Sequence, residues 1–185
     1  MRFIIIKKNF NDSAMLINIL KNLLGINIKI EEEEKVIIIY HNYSYDDDII
    51  RVLNSLSDDM MISLVSYISK ENIELKLKEE LDVVLPIIID NDLPAGVYTF
   101  KELLLKKPVI NDKRHLINFI LDSSGIDENF IIGFALNDLN VSKASKAMYI
   151  HRNTMIYKLD KLKEVSDFDL RCFLDAYLLY DLVKN

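Results

Sequence analysis

Apolar and polar residues follow two different periods in the N-terminal half of the chain, and the periods predict short strands and helices. Apolar runs rich in isoleucine and valine are typical of strands, and apolar residues repeated every three or four positions are typical of helices. Strands are predicted at residues 2–8, 26–30, 36–40 and 60–68. Helices are predicted at residues 12–24, 46–56 and 70–84, followed by irregular chain at Pro86, Pro94 and Gly96. The order indicates an α+β, ferredoxin-like fold with helices packed on a small antiparallel sheet.

The second half of the chain is predicted to be helical. Helices are expected at residues 111–123 and 127–137, with a closing helix at residues 169–183. Gly133 would permit a close helix crossing, because it has no side chain. The closing helix has an apolar face, which we expect to complete a helical bundle, although it could instead form a dimer. That face consists of Phe173, Leu174, Tyr177 and Leu178.

Residues 140–150 predict a short helix followed by a tight turn. Ser142 is suited to cap the helix, because its hydroxyl can accept a hydrogen bond from a free N–H of the first turn. Ala144 and Ala147 are three residues apart on one face, where small side chains let a second helix approach closely. The turn is expected at residues 148–150.

A second helix is predicted from about His151 to Val165. Apolar residues recur every third position on one face, at Ile156, Leu159, Leu162 and Val165. The other face is polar and cationic and consists of Arg152, Asn153, Thr154, Tyr157, Lys158 and Lys161. The pair therefore predicts a helix-turn-helix whose second helix has the shape and charge to enter a DNA major groove.

One motif of this region has a specific resemblance. It consists of His151-Arg152-Asn153-Thr154, followed by Tyr157-Lys158-Leu159 and preceded by Asn140-Val141-Ser142 and Ala144. It resembles the C-terminal helix-turn-helix of the PucR/CdaR family of bacterial transcriptional regulators. Residues 169–183 resemble the closing helix of that family. Ser166-Asp167 departs from the family's usual Thr-Gly helix stop, which affects the shape of one turn.

The resemblance also implies a domain organisation. The order of elements in the N-terminal half resembles the degenerate GGDEF-like domain that precedes the helix-turn-helix in this family, and residues 97–104 resemble the strand and helix that bridge the two. We expect a GGDEF-like regulatory or dimerisation domain at residues 1–100, linker helices at 101–125 and a helix-turn-helix DNA-binding domain at 126–185. Full-length relatives usually carry a further ligand-sensing domain, for which 185 residues leave no room.

The charge distribution changes the picture given by the total charge. The net charge is −6, which argues against a nucleic-acid binder. Residues 141–163, however, contain six basic residues and one acid, Asp160, while the acids cluster elsewhere. This local excess of five positive charges is what a phosphate backbone would meet.

These observations predict the residues that contact double-stranded DNA. Arg152 could bind guanine or a phosphate, Asn153 could bind adenine or cap the helix, and His151 could contact DNA or cap the turn. Tyr157 and Lys158 are expected at the DNA backbone, as are Lys143 and Lys146 of the first helix. The predicted DNA-binding residues are Ser142, Lys143, Lys146, His151, Arg152, Asn153, Thr154, Tyr157, Lys158 and Lys161.

No catalytic, metal or cofactor site is predicted. The charged hairpin tip at residues 31–35 lacks the glycines of an active diguanylate cyclase, so we interpret Glu31–Glu34 as a solvated turn, and Asp46–Asp48 as charges that stabilise a helix N-terminus. His41, expected in a loop, and His115 have no partner at metal-ligand spacing. The isolated glycines cannot form a phosphate loop, and no nucleophile motif is present. We therefore expect a non-enzymatic protein without a cofactor.

The sequence also predicts a cellular context and leaves alternatives. Without a signal peptide or an apolar run long enough to span a bilayer, we expect a cytoplasmic protein that does not contact membranes. The single cysteine, Cys172, is expected to be a small packing residue.

The predicted function is sequence-specific transcriptional regulation by a homodimer or higher homo-oligomer, with an unknown effector. The alternatives are an interaction module that has lost DNA binding and, with less support, a small-molecule sensor or nucleotide-binding enzyme.

Overall fold

The computed structural model describes residues 2–8, 13–24, 28–42, 46–59, 64–69, 74–122 and 124–184. The chain divides into two compact units, Met1–Asn111 and Asp112–Asn185. The first contains a sheet with helices, and the second is helical. Each unit has its own apolar core and is described separately.

The first unit contains the predicted series of strands and helices. Its elements are β1 (Arg2–Lys7), α1 (Ser13–Leu24), β2 (Lys29–Glu32), β3 (Val36–His41), α2 (Asp46–Asp59), β4 (Val65–Ile68), α3 (Glu74–Asp90), β5 (Gly96–Tyr98) and α4 (Phe100–Leu105). The predicted order of strands and helices is confirmed, with β5 and α4 in the segment expected to form a bridge. Of the predicted strand at 60–68, residues 60–63 lie outside the described residues.

The five strands form one sheet in the order β2-β3-β1-β4-β5. The first four pair antiparallel, while β5 lies parallel to β4. The predicted α+β class is confirmed, and the sheet is mixed rather than purely antiparallel. Strand β1 is central, because Ile5 pairs with Ile38 on one side and with Tyr67 on the other.

The position of β1 explains its uninterrupted apolar run. Successive side chains of a strand point to opposite faces of a sheet. Phe3 and Ile5 join one buried cluster, which includes residues of α3, whereas Ile4 and Ile6 join a second cluster with residues of α1 and α2. Because both faces of the sheet are covered, every residue from 3 to 6 is apolar.

Helix α3 differs from the sequence prediction at its C-terminal end. It was expected to end at residue 84, with irregular chain from Pro86, but it continues through Pro86 to Asp90. Proline costs about 3 kcal/mol inside a helix because it lacks an N–H and crowds the preceding turn. Here Val83, Val84, Ile87 and Ile88 are buried on both sides of the exposed proline. We infer that burial of this apolar face outweighs the local cost.

Two smaller predictions in this unit are also wrong. Glu31 and Glu32 belong to β2 rather than to the connection, and Glu31 accepts a hydrogen bond from Tyr40 at 3.0 Å while Glu32 forms an ion pair with Lys8 at 2.9 Å. His41 was expected in a loop, but it is the last residue of β3 and is buried. Its pairing with Arg2 of the central strand keeps it within the sheet.

Asn91 connects the end of α3 to the segment that follows α4. Its side-chain oxygen accepts a hydrogen bond from the Val109 N–H at 2.6 Å, and its amide nitrogen donates to the Val109 carbonyl at 3.0 Å. The same amide nitrogen donates to the Ile87 carbonyl at 3.0 Å. Lys7 donates to the carbonyls of Ile89 and Asn91 at 3.2 and 2.6 Å. These bonds satisfy carbonyl groups that a helix C-terminus leaves without partners.

The second unit is a bundle around the predicted helix-turn-helix. Its helices are α5 (Lys113–Leu121), α6 (Glu128–Leu136), α7 (Val141–Ala147), α8 (Arg152–Ser166) and α9 (Phe173–Lys184). Asp112 caps α5 by accepting from the N–H of His115, and Asp127 caps α6 by accepting from the N–H of Phe130. The helices predicted at residues 111–123 and 127–137 are therefore confirmed, with shorter bounds.

A group of charged side chains stabilises the loop between α8 and α9. The C-cap residue Asp167 has a left-handed backbone with φ 62°, so aspartate occupies the position that glycine takes at many helix ends. Arg171 contacts Asp169 at 2.7 Å and Asp160 of α8 at 2.8 Å. Burial of Asp169 favours its neutral form, but the hydrogen bonds from Arg171 and Lys163 outweigh burial and lower the pKa of Asp169 to about 2.

We expect Asn91→Ala to lower the free energy of unfolding of the first unit by about 1–3 kcal/mol, because it leaves several main-chain groups without partners. Urea unfolding measures this change. Asn54→Ala, on the exposed side of α2, is the matched control and should change stability by less than about 0.5 kcal/mol. Equal stability of both variants would contradict the role given to Asn91.

Arg171→Gln should remove a stabilisation that depends on pH. A carboxylate with a lowered folded-state pKa stabilises the protein above its unfolded pKa, and the contribution disappears as pH falls through the folded value. For Asp169 the contribution is on the order of 2 kcal/mol, present above pH of about 4 and lost towards pH 2. The difference in urea midpoint between wild type and variant should therefore shrink from pH 6 to pH 3. Arg114→Gln, an exposed site on α5, should show no such convergence.

Candidate nucleic-acid interface

The first helix of the pair is capped by a different residue from the one predicted. Asn140, not Ser142, is the N-cap of α7, and its side-chain oxygen accepts from the N–H groups of Ser142 and Lys143 at 3.0 and 3.1 Å. Asparagine is at least as good a capping residue as serine, and here it precedes the helix by the one position that the geometry requires. Ser142 lies in the first turn of α7 and is exposed.

The small residues of α7 are only partly used for packing. Ala144 is fully buried and Ser145 is nearly so, whereas Ala147 is exposed. The expectation that Ala144 and Ala147 share a packing face is therefore wrong for Ala147. Ala144 and Ser145 are neighbours in sequence and are both buried, because α7 contacts both α6 and α8.

The turn between the helices is packed against α6. A Cβ atom built on Gly133 would lie 2.7 Å from the sulfur of Met148, so a glycine is needed for this approach unless Met148 moves. A close helix crossing was predicted at Gly133, but the close neighbour is the Met148 side chain of the turn. Ile150 donates its N–H to the Ser145 carbonyl at 2.9 Å, which fixes the turn to the end of α7.

Helix α8 begins at Arg152, and His151 is its N-cap. The N–H of Asn153 donates to Nδ1 of His151 at 3.3 Å. Of the two interpretations of His151, the capping one is thus supported by a contact. Asn153 does not cap the helix, so its exposed amide is available for other contacts.

The buried face of α8 agrees with the prediction at Leu159 and Leu162 and differs from it at its two ends. Met155, Leu159 and Leu162 are fully buried, whereas Ile156 and Val165 are only partly buried. The spacing of four and then three residues follows the helical repeat of 3.6 more closely than steps of three do. Ile156, rather than Met155, was predicted because a three-residue spacing was projected back from Leu159.

The opposite face of α8 is exposed at its N-terminal end. Arg152, Asn153 and Thr154 form the first turn and are all exposed, and Tyr157 is 66% exposed one turn further on. The first-turn N–H groups of a helix point away from its end and give it a partial positive charge. The face therefore combines donors with positive potential.

The cations predicted to meet DNA fall into two groups. Among the described residues, Lys146 and Arg152 have no ion pair or side-chain hydrogen bond and are exposed. The others have partners within the unit. Lys143 forms an ion pair with Asp138 at 2.7 Å, which lowers the pKa of that carboxyl, and Lys161 lies 3.5 Å from Glu164.

Lys158 is placed differently from the expectation that it lies on the polar face. Its ammonium donates a hydrogen bond to the Gly125 carbonyl and lies 5.7 Å from the centre of the Phe130 ring. It is partly buried, and it holds α8 to the loop before α6. Lys158 also lines an open pocket together with Asp127, Asn129 and Met148.

The closing helix also differs from its prediction. It begins at Phe173 instead of residue 169, and Phe173 is 74% exposed, so the face expected to complete the bundle lies largely in solvent. Leu174 and Tyr177 are likewise exposed, and Leu178 alone of the four is buried. Ala176 and Leu179 complete the core in their place, together with the carboxylate of Asp175, which accepts from the Asp169 N–H at 2.8 Å. Cys172, expected to pack inside, is exposed.

The described residues contain no group of three or more acidic, histidine or cysteine side chains that could hold a metal ion. In the same part of the chain, no helix has the length and apolar character needed to cross a membrane. These findings concern the described ranges.

Two residues of this site were not anticipated. Asn140 was predicted only as part of the family motif, although its type and position are those of an N-cap. Tyr149 was assigned to the turn without a role, and it is 97% exposed with φ 54°. Sequence alone gives no signal for its exposure, since a tyrosine in a turn is equally able to fold back on the bundle.

Comparisons with known proteins bear on this region. The family model described as the PucR C-terminal helix-turn-helix domain matches residues 132–181. The carbohydrate diacid regulator of Escherichia coli (strain K12) is 29% identical over 99 residues, which are 54% of this chain and 23% of that relative. The chain thus spans about a quarter of the length of this curated relative. A crystal structure of a regulator of polyketide synthase expression from Bifidobacterium adolescentis matches all of the chain and 78% of its own chain, with 14% identity and a TM-score of 0.48.

The matched segment includes α7, the turn, α8 and most of α9, which are the elements that bear the exposed face and its supports. The resemblance noted at His151–Thr154 falls within it. Residues 132–181 therefore match the PucR C-terminal helix-turn-helix domain, and a segment of the chain is similar to a curated transcriptional regulator of carbohydrate diacids.

Proposed function

We propose that this protein is a sequence-specific DNA-binding transcriptional regulator that inserts the N-terminal end of α8 into the major groove. The observation that carries the proposal is the first turn of α8, where Arg152, Asn153 and Thr154 are exposed on a helix fixed from behind by fully buried side chains. A recognition helix needs both properties, because it must hold its side chains at base edges with little freedom.

The residues divide into base and phosphate contacts by their chemistry. Arg152 has a guanidinium fork that fits guanine, and Asn153 has an amide that fits adenine. Lys146, exposed near the end of α7, supplies a point charge for a phosphate, and Ser142 and Lys143 lie in the first turn of the same helix. Thr154, Tyr157 and Lys161 extend the surface along α8.

Two of the three partnered cations would have to give up strong contacts in this proposal. Lys143 must leave Asp138, and Lys158 must leave the Gly125 carbonyl, before either meets a phosphate. Such exchanges offset part of the gain from a new contact. We therefore expect Arg152 and Lys146 to make most of the electrostatic contribution to DNA binding. His151 lies beside them at the N-terminal end of α8.

We further propose that a second copy of this chain covers the apolar surface of α6 and α9. Leu136 is 67% exposed and Phe173 is 74% exposed, and the ring of Phe173 stacks on Tyr177 at 6.4 Å. A single helix-turn-helix gives modest specificity, and two-fold pairing places two recognition helices on adjacent half-sites. An apolar surface beside the DNA-binding pair suits that pairing.

The rest of the assignment follows from these proposals. The first unit is proposed as a GGDEF-like regulatory domain, with residues 101–125 as the connection, and the protein is proposed to be non-enzymatic. A regulator of this kind acts on chromosomal DNA, so we place it in the cytoplasm. The competing proposal is an interaction module that retains the fold without DNA binding.

Arg152→Ala should weaken binding to a labelled random-sequence duplex by about tenfold or more, because it removes a charged donor from the helix end. Fluorescence anisotropy across a salt series measures affinity. The slope of log K against log salt should also become shallower, by about 0.9 for each phosphate that the variant no longer neutralises. Arg51→Ala, the same change on the exposed side of α2, should leave both quantities near wild type.

Equal reductions in affinity for the two arginine variants would indicate nonspecific attraction and contradict the role of α8. If wild-type protein fails to bind even at low salt, the interaction module becomes the better assignment. Unfolding curves of each variant keep a folding defect separate from a binding defect.

Phe173→Glu should weaken self-association by about tenfold or more, because a charge would be buried in an apolar contact. Sedimentation equilibrium measures this across protein concentration. Val109→Glu is the matched control, since Val109 is 71% exposed in the first unit and lies outside the proposed surface. A monomeric wild type, or equal effects of the two substitutions, would refute this dimer surface.

A further inference from the structure

The turn between α7 and α8 contains an unusual tyrosine. Tyr149 has φ 54°, in the left-handed region, and its side chain is 97% exposed. Residues other than glycine, asparagine and aspartate rarely adopt this conformation, because the Cβ atom crowds the backbone. The position therefore combines a costly backbone with a large side chain that lies in solvent.

The packing of the unit does not account for the choice of tyrosine. A residue at φ > 0 is disfavoured relative to glycine, and contacts of its side chain with the surrounding structure are the usual compensation. Tyr149 buries almost none of its ring. Its main-chain N–H donates to the Lys146 carbonyl at 3.3 Å, but glycine would make the same bond.

Tyr149 differs from the other residues that have a left-handed backbone. Asp138 and Asp167 are of a residue type that tolerates this region, and Leu139 is partly buried. Lys107 is exposed, but it lies in the first unit, outside the helix-turn-helix. Within the second unit, Tyr149 alone among the described residues is both large and exposed in this conformation.

The location of Tyr149 indicates a ligand. It lies three residues after Lys146 and three before Arg152, which are the two exposed cations without an ion pair among the described residues of α7 and α8. A phenol at this place offers an O–H donor for a phosphate oxygen and a flat ring that packs on deoxyribose. Exposed tyrosines of this kind are among the side chains that donate to phosphates.

The geometry points to Tyr149 as a further DNA contact, which donates its hydroxyl to a phosphate at the edge of the groove entered by α8. This inference rests on the proposed function. The backbone strain of the free protein is then offset by a contact made only in the complex. The contact positions the N-terminal end of α8 and carries no base preference of its own.

Two substitutions separate the hydroxyl from the side chain as a whole. Tyr149→Phe should weaken binding to the random-sequence duplex about threefold to tenfold, as expected when one hydrogen bond to a charged acceptor is removed. Tyr149→Gly should weaken it further while raising the unfolding midpoint, because glycine relieves the left-handed backbone. Because Tyr149→Gly should bind DNA more weakly and yet unfold at a higher midpoint, loss of folding cannot be the cause of its weaker binding.

The salt dependence provides a second readout. Tyr149 is uncharged, so neither variant should change the slope of log K against log salt, whereas Arg152→Ala should make it shallower. Asp167→Gly is the control for relief of strain at another left-handed residue of the same unit, with φ 62°. It should raise the unfolding midpoint without weakening DNA binding.

Failure of this inference is distinguishable from failure of the proposed function. If wild type binds DNA and Tyr149→Gly binds as tightly, the inference is overturned while the proposed function stands. Unchanged affinity of Tyr149→Phe would likewise overturn the hydroxyl contact. Absence of DNA binding by the wild type would overturn both.

Discussion

Burial of one face of α8 is the constraint on which the rest of the second unit depends. Met155, Leu159 and Leu162 are fully buried, and the surrounding helices supply the cavity that they fill. Because a helix is rigid, fixing this stripe also fixes the direction in which Arg152, Asn153 and Thr154 project. Arg171 forms an ion pair with Asp160 in the middle of α8, and His151 caps the N-terminal end of the same helix. Contacts on the buried side of α8 therefore fix the position of its exposed face.

Much of the fold follows from the sequence because hydrophobic periodicity is a direct consequence of burial. The apolar run of β1 and the amphipathic helices gave the correct order of elements in the first unit. Pro86 shows the limit of this approach, because a local rule ended the helix there while tertiary burial continued it. The parallel pairing of β5 with β4 was equally out of reach, since three residues contain no signal of their partner's direction.

The candidate site was predictable in outline and less so in detail. The motif at residues 151–154 identified the helix, and the exposure of its first turn agrees with that assignment. The N-cap was misplaced by two positions and the first residue of the buried stripe by one, because Asn140 and Ser142 are both good caps and Met155 and Ile156 are both apolar. The contact between Lys158 and the Gly125 carbonyl joins residues 33 positions apart, and no local pattern reports such a contact.

The cap at the start of α8 has a consequence for the chemistry of its imidazole. Nδ1 of His151 accepts a hydrogen bond from the Asn153 N–H, so that nitrogen must present a lone pair. The neutral ring is then confined to the tautomer that has its proton on Nε2. His151 is exposed, and its outer edge is therefore a hydrogen-bond donor. The His151 side chain can therefore cap α8 through Nδ1 and, at the same time, donate a hydrogen bond through Nε2 to an acceptor outside the protein.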